Sequence, residues 1–163
     1  MKKTFLFLLV ILAFISACEK DDFCLQNPVT PRLIITFFDD TNRETRKRVQ
    51  RFSLVAKSKG LDSLFVNNSS LDSIAIPLNT NALKTVYTLK KNTVNGARKD
   101  NQFATFTITY ETEQEYISRS CGYRVIFKNV AFSAEPNTWI TDFTPTTVTI
   151  IDNQNSAHVQ IFH

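Results

Sequence analysis

A two-residue hydrophobic alternation, returning in segment after segment, constrains the fold of this chain more than any other feature. Arg32–Phe38, Phe52–Ala56, Leu83–Leu89 and Phe103–Tyr110 are rich in β-branched and aromatic residues, interleaved with Thr or Lys. Side chains alternate across a strand, so each segment predicts a strand with one buried and one wet face. Further strand-like segments run over 123–132, 146–151 and 158–162. Turn-forming clusters separate them at Asp39–Asn42, Asn67–Ser70, Asn92–Gly96, Glu135–Asn137 and Asp152–Asn155. Short strands at this spacing predict an all-β fold, a single antiparallel β-sandwich of immunoglobulin-like or jelly-roll-like type built from hairpins. Helix is expected only as a turn or two over Thr41–Gln50, where Glu44 precedes Arg48 by four residues but no apolar stripe exists. Leu61–Val66 and Leu71–Ile76 repeat a Leu-Asp-Ser pattern around Asn67–Ser70 and predict one hairpin.

The first residues carry an address. Lys2 and Lys3 precede an apolar run from Phe5 to Ile15, then Ser16, Ala17 and Cys18. The run is shorter than the ~20 apolar residues that span a bilayer, and charge follows at once. Ile15-Ser16-Ala17-Cys18 resembles the lipobox of bacterial lipoproteins. The resemblance implies cleavage before Cys18, diacylglycerol on its thiol and acylation of the new amino group. Several chains, at about 0.8 kcal/mol per buried methylene, make a stable anchor. Lys20-Asp21-Asp22 resembles the acidic export signal of surface lipoproteins in the Bacteroidota, which favours the cell-surface face of the outer membrane over the periplasmic face. The expected organisation is a signal peptide at 1–17, an acylated tether at 18–31 held extended by Pro28 and Pro31, and a sandwich domain at 32–163.

Removing the seventeen signal residues from 163 leaves 146, enough for one core. With Lys2 and Lys3 gone, 17 basic residues face 15 acidic ones. Such a balance argues against nucleic acid as a partner, because phosphate binding needs clustered positive charge. Cys18 being lipidated, Cys24 and Cys121 remain as an even pair in an exported protein, and a disulfide is expected. No Cys-x-x-Cys or Cys/His cluster points to a metal, and no cofactor is expected.

An early Cys, the strand from Pro31, Ile76-Pro77-Leu78-Asn79, the segment Tyr116–Gly122 and the C-terminal His158–Phe162 resemble uncharacterised small lipoproteins of the Bacteroidota, grouped as a domain of unknown function. The resemblance extends over nearly all the mature chain. It implies no activity, and it makes the cysteine pair a family feature.

Candidate chemistry is sparse. A triad of Ser118 or Ser120 with His158 and Asp142 can be written, but no Gly-x-Ser-x-Gly elbow supports it. Carboxylates cluster at Asp39-Asp40 and at Glu111, Glu113 and Glu115; the three glutamates could share one strand face and, with a partner carboxylate across a sandwich end, hold Ca²⁺, although a solvated turn after Tyr110 is the plainer reading. Arg43, Arg46, Lys47, Arg48 and Arg51 form the densest basic run, suited to anionic headgroups or to a solvated loop. Trp139, Tyr116, Tyr123 and Tyr87 are rings with polar handles. Trp139, Tyr116 and Tyr123 are the candidate binding surface, although a single Trp in a domain of this size is more often buried in the core, and that reading is favoured for Trp139. Ser63 and Ser73, each after an Asp and before an aliphatic residue, resemble O-glycosylation acceptors of exported Bacteroidota proteins. The expected role is a non-enzymatic envelope binding, scaffold or assembly component, anchored in the membrane by lipid, with another envelope protein or a glycan as partner. The alternatives are a surface glycan-binding accessory module and a hydrolase.

Overall fold

A computed structural model describes Cys24 and residues 29–57, 62–92 and 100–163. These residues form ten strands and no α-helix: β1 (Leu33–Phe38), β2 (Val49–Lys57), β3 (Ser63–Leu71), β4 (Ser73–Ile76), β5 (Lys84–Asn92), β6 (Asn101–Ser118), β7 (Gly122–Ala134), β8 (Asp142–Thr144), β9 (Thr147–Ile151) and β10 (Val159–Phe162). By compactness the chain divides into two units. One holds Cys24, Val29 and Tyr116–Arg124 among its described residues; the other comprises Thr30–Glu115 and Val125–His163.

The larger unit is an all-β sandwich. One sheet has the order β4-β1-β10-β8, the other β3-β2-β5-β6-β7-β9. Alternation puts Leu33, Ile35 and Phe37 of β1 opposite the buried sets of the second sheet, among them Phe52 and Leu54 of β2, Tyr87 and Leu89 of β5 and Phe106 and Ile108 of β6. All these side chains are essentially inaccessible, and each contributes about 1.5–3 kcal/mol by leaving water. On β7 the inward set moves from Phe127 to Val130 and Phe132. Asn129, at φ 50°, supplies the left-handed residue that permits the change, a conformation Asn tolerates better than most.

Three expectations need correction. The pair β1–β10 is parallel, Ile35 opposite Val159 through Phe38 opposite Phe162, so the sandwich is not wholly antiparallel. These strands come from opposite ends of the domain, and no tight turn forces them to run against each other. The predicted hairpin of Leu61–Val66 with Leu71–Ile76 does not form. Asn67–Ser70 lies inside β3, an edge strand on β2, whereas β4 pairs with β1 in the other sheet. An edge strand exposed along most of its length can carry polar residues that elsewhere would signal a turn. The chain changes sheet at Asp72, whose carbonyl accepts the Phe37 N–H.

The third correction concerns Thr41–Gln50, which makes no helical turn. Asp39 Oδ1 accepts both the backbone N–H and the hydroxyl of Thr41, at 2.9 and 2.8 Å, closing an Asx-type turn. Lys47 then donates its backbone N–H to Phe37 O, so the loop folds back on the end of β1. The strand β8, three residues long, was too short to register as an alternation.

The Ile76-Pro77-Leu78-Asn79 segment has a packing role. Leu78 is buried, the Tyr87 hydroxyl donates to Pro77 O, and the Tyr110 hydroxyl donates to Asn79 O at 2.8 Å. Asn79 N–H in turn donates to Thr85 Oγ1, which lies 2.5 Å from the Tyr110 oxygen. Burial raises the pKa of both tyrosines, keeping them protonated donors.

Candidate functional site

The smaller unit is built at the β6–β7 connection. Cys24 and Cys121 are joined as a disulfide, with Cα atoms 4.8 Å apart. The turn is closed locally, since Cys121 donates its N–H to Ser118 Oγ at 3.0 Å and Gly122 takes φ 70°, where a side chain would be strained. Tyr116 and Tyr123 flank this turn. Their rings meet edge to face at 5.3 Å between centroids, yet they remain 57% and 65% exposed. Two large rings left in water on a covalently closed turn are a candidate surface that would have little conformational freedom to lose on binding.

Trp139 does not join them as a binding ring. It is 8% exposed and belongs to the core, where its Nε1–H donates to Leu89 O at 3.1 Å. The candidate surface therefore reduces to Tyr116 and Tyr123. Tyr87 is likewise buried.

The residues of the written triad are each committed elsewhere. Ser118 Oγ accepts from Cys121 and lies 3.4 Å from Ser120 Oγ. His158 Nδ1 accepts the Ile34 N–H at 2.9 Å, while its other nitrogen donates to the Asn153 carbonyl. Burial lowers its pKa, so the ring is a neutral strap between β1 and the start of β10. Asp142 accepts from Arg43 at 2.6 Å and from Phe143 N–H, which hold its carboxyl below the ordinary range. No nucleophile–base hydrogen bond is present among these groups.

The basic run is largely paired. Arg43 bridges Asp40 and Asp142 and stacks over the Phe162 ring at 4.4 Å; Lys47 lies 3.4 Å from Asp39 and Arg48 4.0 Å from Asp72. The glutamates lie in β6 rather than in a turn. Glu113 pairs with Lys128 at 2.5 Å and Glu111 accepts from Asn129 at 3.0 Å. Among the described residues no group of three or more metal-ligating side chains converges, so the Ca²⁺ site has no structural support. Ser63 is exposed at the start of β3, and Ser73 is half-buried opposite Thr36. Cys18 and Lys20-Asp21-Asp22 lie outside the described residues.

One cluster has no sequence signal. His163 is 8% exposed, its ring edge-on to Trp139 at 5.6 Å and to Phe37 at 6.2 Å. Lys91 Nζ lies 3.1 Å from its Nδ1 and 5.5 Å from the Trp139 ring centre; the His163 Nε2–H donates to Lys47 O at 3.3 Å. Burial, together with the Lys91 and Lys47 charges, brings the His163 pKa down to about 4. Lys91 is shifted down as well, mainly by burial. A neutral imidazole thus accepts from a half-buried ammonium and locks the end of the sandwich.

A family model described as a family of unknown function (DUF6452) matches residues 52–163. The matched span begins at β2 and includes Cys121 and both exposed tyrosines. Comparison with curated proteins and with solved structures returns no match.

Proposed function

Because the chain belongs to that family of unknown function, its role has to be read from its own residues, and we propose that it is a lipid-anchored, non-enzymatic envelope protein that binds or scaffolds a partner. The observation that carries this reading is the Tyr116–Tyr123 pair, exposed on a turn tied by the Cys24–Cys121 disulfide. A disulfide suits an oxidising compartment, in keeping with the lipobox resemblance at Ile15–Cys18. In this reading the protein is a Bacteroidota outer-membrane lipoprotein, acylated at Cys18 and displayed on the cell surface through Lys20-Asp21-Asp22. The partner is another envelope protein, met through the two tyrosines. The alternative partner is a surface glycan, since the same rings offer apolar faces with hydroxyl edges.

Four measurements test it. Palmitate labelling in a Bacteroidota host should mark the wild type and not Cys18→Ser, and protease added to intact cells should remove the protein; labelling independent of Cys18 refutes the anchor. Photo-crosslinking from positions 116 and 123 in living cells should give a discrete adduct that Tyr116→Ala with Tyr123→Ala abolishes. A glycan panel read against the same double variant separates the alternative. If neither an adduct nor a tyrosine-dependent glycan appears, the recognition surface has been misassigned.

A further inference from the structure

Outside that surface, the larger unit carries a polar hollow of about 250 Å³ on the outer face of its six-stranded sheet. The outer face of a twisted sheet does not ordinarily form a basin, and here the cause is local. The β2–β3 pairing slips between Val49 and Phe52 and again between Phe52 and Leu54. Arg51 and Asn68 both take φ 49°, left-handed backbone that costs on the order of 1 kcal/mol or more for a non-glycine residue. Bulges of this kind re-aim side chains and recur beside functional sites. Asn68 N–H donates to Ser53 Oγ at 3.0 Å, which fixes the bulge against β2.

The chemistry of the walls is one-sided. Ser53 faces Lys90 across β2–β5, and Asn92 faces Asn101 across β5–β6, where the Asn92 amide donates to Asn101 Oδ1 at 2.6 Å. Arg51, Asn67 and Asn68 complete the lining, so every wall residue is polar, two are cationic and none is acidic. Several cations elsewhere on the sandwich are paired: Arg43 with two aspartates, Lys47 with Asp39, Lys57 with Asp62, Lys128 with Glu113. The Arg51 guanidinium and the Lys90 ammonium make no ion pair, and the Asn67 and Asn68 side-chain amides make no hydrogen bond, within the described structure.

We propose that this hollow is a binding site for a small acidic sugar, a polyhydroxylated ring bearing one carboxylate or phosphate. Arg51 and Lys90 supply charge-assisted hydrogen bonds to the anion, Arg51 with the planar fork that suits carboxylate and phosphate alike. The asparagine amides each offer a donor and an acceptor, the pairing that sugar hydroxyls require. The volume lies below the ~300–1,000 Å³ of sites for drug-sized ligands, which fits a single ring better than a chain segment. The site goes beyond the tyrosine surface and stands or falls without it.

Titration calorimetry on the purified full chain, with glucuronate, glucose 6-phosphate, glucose and inorganic phosphate as separate probes, tests this. One or both charged sugars should bind and glucose should bind at least about tenfold more weakly, as expected for loss of a charge-assisted contact. The sugar that binds more tightly identifies the anionic group. Arg51→Asn keeps a residue that tolerates the left-handed backbone while removing the charge, and Lys90→Gln removes the other from a regular strand position. Each should weaken the charged sugar about tenfold, with Lys128→Gln, which removes a cation outside the hollow, as a control that leaves it unchanged. No heat with either charged sugar, equal affinity for glucose, phosphate binding as tightly as the sugar phosphate, or affinity untouched by both variants overturns the proposal.

Discussion

Acidifying the protein below pH 6.5 should remove stability through His163. The imidazole is held neutral between Lys91 Nζ at 3.1 Å and the Lys47 carbonyl at 3.3 Å, in contact with Phe37 and Trp139; Lys47 and Asp39 are the other charges around it. Its pKa falls from 6.5 to about 4, so the unfolded chain takes up a proton that the folded chain refuses. The sign follows: the full stability is present above pH 6.5 and declines as pH falls toward 4. At about 1.4 kcal/mol for each pH unit of that gap, the loss by pH 4.5 approaches 2.5 kcal/mol. Screening of the half-exposed Lys47 brings the working figure to about 2 kcal/mol. Asp39 titrates lower, at about 2, because Thr41 donates to it twice, so it does not intrude in this window. Urea unfolding at pH 7.5 and 4.5, at constant ionic strength, should show wild type losing about 2 kcal/mol more than His163→Gln. His158, also shifted down by burial, is common to both proteins and cancels. Equal losses in the two proteins, or an imidazole proton resonance titrating near 6.5, would refute the reasoning.

Three further outcomes are expected. Trp139→Phe keeps a ring in the core but leaves the Leu89 carbonyl without its donor, costing about 1–3 kcal/mol in chemical denaturation, and wild-type fluorescence should be blue-shifted and indifferent to added glycans; red-shifted emission would contradict burial. Replacing both Cys24 and Cys121 by Ser opens a loop with a sequence separation of 97 and should cost about 2–4 kcal/mol in thermal unfolding; an unchanged midpoint would show that the bridge holds nothing. Thr36 Oγ1 is buried on β1 without a hydrogen-bond partner, so Thr36→Val, which matches its shape, should be neutral or stabilising by up to about 1 kcal/mol; a loss above 1 kcal/mol would reveal a partner for the hydroxyl.

What a sequence displays depends on how far apart the cooperating residues lie. The inward faces of β1, β5 and β6 were legible because alternation is local, and Leu33, Ile35 and Phe37 or Ala104, Phe106 and Ile108 announce their own burial. Asn67–Ser70 misled because its identity as an edge strand comes from β2, not from itself. A polar tetrapeptide carries the same turn signal whether or not a neighbour supplies hydrogen bonds. The disulfide pair followed from counting cysteines, and the exposed tyrosines were visible only as candidates; burial of Trp139 was the favoured reading, because a lone tryptophan in a domain of this size usually enters the core, and its bond to Leu89 O agrees with it.

The two groupings with the most unusual electrostatics were invisible for one reason. His163 meets Lys91 across 72 residues and Lys47 across 116, and those approaches exist only once β10 lies parallel to β1. Arg51, Lys90 and Asn101 converge only through the β2–β5–β6 register and a bulge on β2. Each of these residues, read alone, is a solvated polar side chain on a strand, and that reading is correct for most of the others. Charge becomes informative when the fold denies it a counter-charge. Arg43, inside the densest basic run, is neutralised by Asp40 and Asp142, whereas Arg51 at the end of that run is not. The density of positive residues along the chain therefore does not tell which of them the fold neutralises; the pairing pattern, which only the sandwich creates, does.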